Sequence, residues 1–243
     1  MAHRYLLDAG QSLRSGQQVS LLGAEARHAA TVGRISVGEV TSLGDGLGNV
    51  AGARVSMVSA KEVVLEVLDV HTEALPVPEI WLVQALAKGD RDERAIQACT
   101  ELGVDRVIPW ASSRSISVWK GDKAESGVER WQRIVTEASK QSLRSWIPLV
   151  DSVATTAQLV GLCATNTAVV LDPEAPSRLM DFAPVDDRPI LVIVGPEGGI
   201  SPEELGALSD AGAGSYRLGQ PVLRTSTAGP AAMAVLSGAL GRW

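Results

Sequence analysis

The sequence predicts an α/β protein in two parts, a small β-rich segment followed by a larger domain built on a parallel sheet. Three observations predict it. Residues 1 to about 73 hold five short β-like runs separated by glycine-containing turns. Leu75-Pro76-Val77-Pro78 follows, where each proline lacks an N–H and biases the residue before it to extended backbone. Beyond the prolines, apolar runs alternate with helical stretches, the pattern of parallel strands joined by crossovers. The domains are therefore set at 1–73 and 74–243, and 243 residues are enough for one or two self-sufficient cores.

In the first part the strands are expected at Arg4 to Asp8, Gln18 to Leu22, Glu39 to Leu43, Ala51 to Ser56 and Val63 to Val70, with a helix over Ala24 to Val32 and a turn at Gly44 to Asn49, the arrangement of a small β-barrel. In the second, Ile80 to Leu86 is a strand. Asp90 with Glu93 has capping-box spacing for a helix whose apolar face is Ala95, Ile96, Cys99 and Leu102, closed by Gly103. Val104 to Pro109 is the next strand, and Val128, Trp131, Ile134, Val135 and Ala138 recur on one face of a helix from about Glu125 to Leu143. Strands follow at Thr167 to Leu171 and Pro189 to Val194. Ser201-Pro202-Glu203-Glu204 starts a helix with an N-cap Ser, Pro at the first position and Glu at the third. A strand near Ser215 to Leu218 and a small-residue helix from Ser226 to Leu240 complete the order, and no repeat is present.

Composition narrows the function classes. Apolar residues are 45% and charged ones 21%, and no run approaches the ~18 apolar residues a membrane span needs. The start, MAHRYLLDAG, has no charged region leading into an apolar core, so a cytoplasmic location is expected. Cys99 and Cys163 have no Cys or His at metal-ligand spacing and read as small buried hydrophobes. The net charge is −6, yet Ala85 to Trp146 holds 11 Lys and Arg against 9 acids, the one net-basic region, while Ile147 to Trp243 holds 5 against 10. His3, His28 and His71 all precede the prolines, so a His-based triad or a His-ligated metal would have to borrow from the first domain. No metal is expected.

Two loops carry the chemical signal. Gly195-Pro196-Glu197-Gly198-Gly199 sits between the apolar run ILVIV and the capped helix, where α/β sheets bind ligands; the same loop also suits a plain left-handed turn. It matches neither G-x-G-x-x-G nor a Walker loop. Leu218 to Ala228 repeats the strand, loop and helix-start pattern with Arg224 at the junction, where the helix dipole disfavours a cation unless an anion offsets it; an exposed, partnerless Arg is the alternative.

GPEGG before a capped helix, with LGxxxLRxxTA opening the last helix, resembles the SPOUT methyltransferases, in particular the RsmE-type small-subunit ribosomal RNA uridine-N3 methyltransferases. Lys88-Gly89-Asp90-Arg91 leading to Gln97, Glu101 to Val104 and Pro109 is similar to the family's first catalytic-domain helix. Glu137 to Ser142 with Arg144 is similar to its EAxEQSxR element. Arg4, His28, Val32 with Arg34, and Asp45-Gly46 match its PUA-like RNA-binding barrel. Ser226 replaces a Glu of the pattern, and KQSLR replaces EQSGR through Lys140 and Leu143.

The resemblance implies a PUA-like barrel followed by a SPOUT domain with a C-terminal trefoil knot, pairing into a homodimer through the SPOUT domain. It implies S-adenosylmethionine held by Leu171, Gly195, Pro196, Glu197, Gly198, Gly199, Leu218, Gly219, Val222, Leu223 and Thr227. Methyl transfer to uracil N3 requires removal of its proton, so Arg224 and Arg144 are expected to stabilise the anion and Glu137 to act as base. Small-subunit ribosomal RNA, naked or assembled, would lie on Arg4, His28, Arg34, Lys88, Arg91, Arg114, Lys140 and Arg144. Trp119, Trp131 and Trp146 are interleaved with basic residues as in stacking surfaces, although Trp131 falls on an apolar helix face. A ribose 2′-O methyltransferase and a non-catalytic RNA-binding assembly factor are the alternative readings.

Overall fold

The computed structural model describes residues 4–7 and 11–243. His3 and Asp8, the last residue of the first expected strand, lie outside the described residues. The chain divides into two compact units, Met1–Leu75 with Ser139–Ile147, and Pro76–Ala138 with Pro148–Trp243.

The first unit is a five-stranded sheet of β1 (Arg4–Leu6), β2 (Gln18–Leu22), β3 (Val40–Gly44), β4 (Asn49–Val58) and β5 (Glu62–Thr72), in the order β1-β3-β4-β5-β2. Only β1 and β3 run parallel; the other pairs are antiparallel. Period-two alternation turns Val19, Leu21, Val63, Leu65 and Val67 inward onto Tyr5, Leu43, Ala53 and Val55. The helix expected over Ala24 to Val32 is two pieces, α1 (Gly23–Arg27) and a π-type turn over His28–Val32. The Gly33 N–H bonds the His28 carbonyl at 2.9 Å, and Ile35 is drawn back onto the Ala29 carbonyl at 3.1 Å. Ile35 is thereby buried, and Arg34 takes a left-handed φ of 50°.

The expected boundary placed all of 74–243 in one domain, whereas Ser139–Ile147 packs with the first unit. Its backbone pairs with the GDGLGN turn: Gly48 N–H donates to Ser145 O and Ile147 N–H to Gly46 O, each at 3.0 Å. Gly46 (φ +74°) and Gly48 (φ +91°) leave the room this needs, since a Cβ on either would stand 2.6 Å from Ile147 Cδ1 or 2.5 Å from the Trp146 ring. Glu73 adds its carbonyl to the Trp146 indole N–H at 2.8 Å and its carboxylate to the Ser145 hydroxyl at 2.6 Å.

The second unit is a six-stranded, wholly parallel sheet of β6 (Ile80–Ala85), β7 (Arg106–Trp110), β8 (Leu149–Val150), β9 (Thr167–Leu171), β10 (Ile190–Val194) and β11 (Gly214–Tyr216), in the order β11-β9-β10-β6-β7-β8. All five residues of β10 are buried, as befits a strand covered on both faces. Its helices are α2 (Arg91–Glu101), α3 (Asp122–Gln141, whose last turn enters the first unit), α4 (Thr156–Cys163), α5 (Pro202–Asp210) and α6 (Thr225–Ala239).

The α5 capping box forms as its sequence requires. At α2 it does not: the Asp90 carboxylate bonds Arg94, and Asp92, 2% exposed, instead accepts the N–H groups of Ala87 and Glu93. β8 and α4 have no counterpart in the sequence reading, although Thr155 and Gln158 form a full capping box. Cys99 and Cys163 are buried and free, and burial lifts the Cys163 thiol to about 11. Gly229 of α6 lies where a Cβ would be 3.2 Å from Cys99 Sγ and Leu82 Cδ1, so helix and sheet approach closely there.

Candidate active site

A cavity of about 870 Å³ opens in the second unit beyond the carboxyl ends of β9, β10 and β11, against the start of α6. This is where a parallel sheet exposes its strand ends to a ligand. Its walls are apolar, from Leu171, Val194, Ile200, Leu205, Leu218 and Leu223, and its charged lining residues are Arg91, Arg114 and Arg224 with Asp172, Glu174 and Glu197.

The glycine loop after β10 is packed from both sides. A Cβ on Gly195 would stand 2.7 Å from Ile200 Cγ1, so glycine is required there by the loop's own fold rather than by space for a ligand. Gly199 has φ +71° and donates its N–H to Pro196 O at 2.9 Å, closing the turn. The Glu197 carboxylate accepts the Lys88 N–H at 3.0 Å and an Arg91 guanidinium N–H at 2.6 Å. Partial burial opposes its charge, but these donors outweigh it and hold its pKa below the usual carboxylate range. Arg114 donates to the Gly198 carbonyl at 3.1 Å.

Thr225, the first residue of α6, ties the site together. Its hydroxyl donates to Gly195 O at 2.9 Å and accepts from Gln84 Nε2 at 2.9 Å, so a buried amide in the middle of the sheet and the last helix both fix the loop. Arg224 precedes it as N-cap residue with extended backbone and no side-chain cap bond. It is exposed, lines the cavity, and forms no ion pair among the described residues.

Nearby, Glu204 is 6% exposed and accepts from the Ser113 N–H, the Ser113 hydroxyl and the Thr156 hydroxyl, each at 2.8 Å. Burial again opposes its charge, and the donors from Ser113, Thr156 and Ser201 prevail, lowering its pKa.

Of the residues expected to hold a cofactor, Leu171, Gly195, Pro196, Glu197, Gly199, Leu218, Gly219, Val222 and Leu223 line the cavity; Gly198 and Thr227 do not. Gly198 faces Arg114, and Thr227 spends its N–H on the Arg224 carbonyl in the first helical turn. Arg91 and Arg114, expected on the RNA side, belong to the cavity rim. Glu137 is exposed on α3 and Arg144 is half-buried in the 139–147 segment; neither lines the cavity.

Lys140, also expected on RNA, is 3% exposed with its ammonium on Glu25, so the charge is committed inside the first unit. Lys88 and Arg34 are exposed, and the His28 ring meets Tyr5 edge-on at 6.3 Å. Arg4 is 8% exposed and donates to the Ser42 hydroxyl at 3.1 Å beside a smaller cavity of about 420 Å³. Trp131 is wholly buried with Trp119 edge-on at 5.1 Å, a core role. Sequence reasoning passed over Thr225 and Gln84; the signal available was a Gln inside the otherwise apolar run IWLVQAL.

The cavity fits S-adenosylmethionine on this geometry. Apolar walls suit an adenine ring, the glycine and Leu218 to Leu223 loops offer main-chain polar groups, and Asp172 and Glu174 in the lining supply carboxylates that suit a cationic ligand.

Residues 73–237 match the model of an RNA methyltransferase domain family. Ribosomal RNA small subunit methyltransferase E of Mycobacterium tuberculosis is 40% identical over 226 residues, 91% of this chain and 86% of the relative. The Bacillus subtilis protein of the same name is 30% identical over 96% and 95%. Among solved structures, a ribosomal RNA small subunit methyltransferase E from Neisseria gonorrhoeae bound to S-adenosyl methionine superposes with a TM-score of 0.88 at 30% identity, covering 98% of each chain. A putative methyltransferase from Legionella pneumophila in complex with the same cofactor gives 0.87 at 30% identity, again over 98% of each. With a cavity built to suit that cofactor and relatives matching nearly end to end, the chain belongs to the RNA methyltransferase family, among the ribosomal RNA small subunit methyltransferases E.

Proposed function

We propose that this protein methylates N3 of a specific uridine in small-subunit ribosomal RNA, using S-adenosylmethionine. The observation that carries the reading is the glycine-loop cavity with Arg224 on its rim, uncompensated by any ion pair among the described residues. The cofactor, when bound, supplies a methyl carbon activated by a sulfonium. Leu171, the Gly195 to Gly199 loop and the Leu218 to Leu223 loop hold it, and the apolar walls exclude water from it.

The acceptor nitrogen becomes nucleophilic only as its proton leaves, which spreads negative charge over the two flanking carbonyls. The Arg224 guanidinium receives that charge. Its position at a helix N-terminus adds the favourable end of the dipole to its own charge, so an anion there is stabilised twice. Arg144 and Glu137, which lie outside the cavity lining of their own chain, serve the cavity of a second copy in a homodimer formed by the SPOUT domains, Glu137 taking the proton. The first domain, a PUA-like barrel, presents the RNA through Arg4, His28 and Arg34, and the second carries the C-terminal knot. The enzyme works on ribosomal particles in the cytoplasm.

The experiment incubates the protein with labelled S-adenosylmethionine and small subunits from cells lacking its gene, then identifies the modified nucleoside by mass spectrometry. 3-Methyluridine is the expected product. A ribose-methylated nucleoside would overturn the base chemistry, and RNA binding without any methylation would leave an assembly factor.

A further inference from the structure

Glu204 is buried and is not part of the cavity lining, yet it is among the most heavily bonded carboxylates of the second unit. Its two oxygens gather the Ser113 N–H and hydroxyl, the Thr156 hydroxyl, the Ser112 hydroxyl at 3.4 Å and the Ser201 N–H at 3.3 Å. Those donors come from three places: the loop leaving β7, the start of α4 and the cap of α5. A capping box needs only the last of these. The β7 loop is held for another reason, which the next residue supplies. Arg114 follows Ser113 directly, its guanidinium donates to the Gly198 carbonyl at 3.1 Å, and its Cβ lies 3.4 Å from where a Gly198 Cβ would be.

We propose that Glu204 is a positioning residue for the cofactor site: by holding the Ser112–Ser113 turn it fixes Arg114 on the Gly198 carbonyl and so sets the shape of the glycine loop before the cofactor arrives. Only Ile200 and Ser201 separate the loop from α5, so the loop is anchored at one end by the α5 cap and near that end by Arg114 on Gly198, and both anchors meet on this one carboxylate. The proposal rests on the cavity being the S-adenosylmethionine site. It separates Glu204 from an ordinary cap, because the effect must travel through Ser113 and Arg114 and not through Thr156.

The test uses the full chain and S-adenosylmethionine titrated by calorimetry, with hydrogen exchange of the Gly198 and Gly199 amides measured without ligand. Glu204→Gln, Ser113→Ala and Arg114→Ala are expected to weaken binding about tenfold or more and to speed that exchange, and in Glu204→Gln and Ser113→Ala, which lie outside the cavity lining, turnover at saturating cofactor is expected within about threefold of wild type. The Glu204→Gln/Arg114→Ala double variant is expected to be no weaker than the weaker single one, since both break one path. Thr156→Val removes a bond to the same carboxylate, and with it the bond its hydroxyl accepts from the Trp110 indole N–H at 3.2 Å, while every Ser112 and Ser113 bond to Glu204 remains; it is expected to lower the thermal midpoint while leaving affinity unchanged. Should Glu204→Gln fail to fold, Ser113→Ala and Arg114→Ala against Thr156→Val carry the same comparison. Unchanged affinity in folded Ser113→Ala and Arg114→Ala, multiplicative losses in the double variant, or an equal loss in Thr156→Val would overturn the proposal. Wild-type protein that binds no S-adenosylmethionine would overturn the cavity assignment instead.

Discussion

Arg224 and Gly195 stand 29 positions apart in sequence and meet through Thr225, yet they fail in different ways when changed. The Arg224 side chain makes no cap bond, and the carbonyl that accepts the Thr227 and Ala228 N–H groups is kept in alanine, so Arg224→Ala should leave cofactor affinity within about tenfold while turnover falls ~100-fold or more, the usual cost of a lost transition-state donor. Steady-state kinetics at saturating cofactor check it, and unchanged turnover removes Arg224 from the chemistry. Gly195→Val is a packing lesion: with Ile200 Cγ1 2.7 Å from any Cβ, the loop must shift, at a cost of about 1–3 kcal/mol, and cofactor binding should be lost. Calorimetric titration alongside a melting curve separates the two effects. Both residues were legible in the sequence as members of glycine and arginine motifs, but the reason for Gly195 was not, because a tight neighbour five residues along leaves no periodic trace.

At the level of elements, α5 is held by a charge. Glu204 has a folded pKa below its ordinary value of 4.5, so its donors stabilise the folded state fully above that value, and the contribution is lost as pH falls through the lowered folded value. Wild-type stability should therefore be flat in this respect from neutral pH to about 5 and drop in acid, and Glu204→Gln should be less stable at pH 7 with a shallower acid slope; denaturant titrations at a series of pH values read both. The helix start at Ser201 was plain from the sequence because capping chemistry is local, spanning four residues. The same logic misread α2, where Asp90 and Glu93 have the right spacing but Arg94 competes for the Asp90 carboxylate and Asp92 bonds the loop instead. β8 escaped notice because a two-residue strand has no periodicity to detect, whereas α4 carried a local signal, the Thr155 and Gln158 capping box, that the sequence reading passed over.

For the whole molecule, the domain boundary was half legible. The prolines at 76 and 78 mark one crossing, but the return of Ser139–Ile147 to the first unit depends on glycines 46 and 48 making room for Trp146 and Ile147, a match between distant segments that no local pattern announces. A chain cut to 76–243 should consequently leave Trp146 and Ile147 without partners, and a sharp rise in dye binding to exposed apolar surface over the full chain is expected. Equal dye binding would show that the segment is self-sufficient. If two copies share their sites, mixing Arg224→Ala with Arg144→Ala chains should restore activity to about a quarter of wild type, because one in two mixed dimers' sites is intact; no recovery on mixing places both arginines on one chain's chemistry.

The hydroxyl of Thr225, bonded both to Gln84 and to the carbonyl of Gly195, also has a meaning in time. Synthesis delivers Gln84 first, Gly195 more than a hundred residues later and Thr225 last of the three, and folding of a growing chain proceeds from its N-terminal side. The first unit, including Ser139–Ile147, can therefore be complete while the cavity beside Thr225 is still open, and the proposed division of labour gives that order a consequence. A nascent chain on its ribosome would be able to touch ribosomal RNA before it could modify any, and the reaction would be withheld until the final helix has docked.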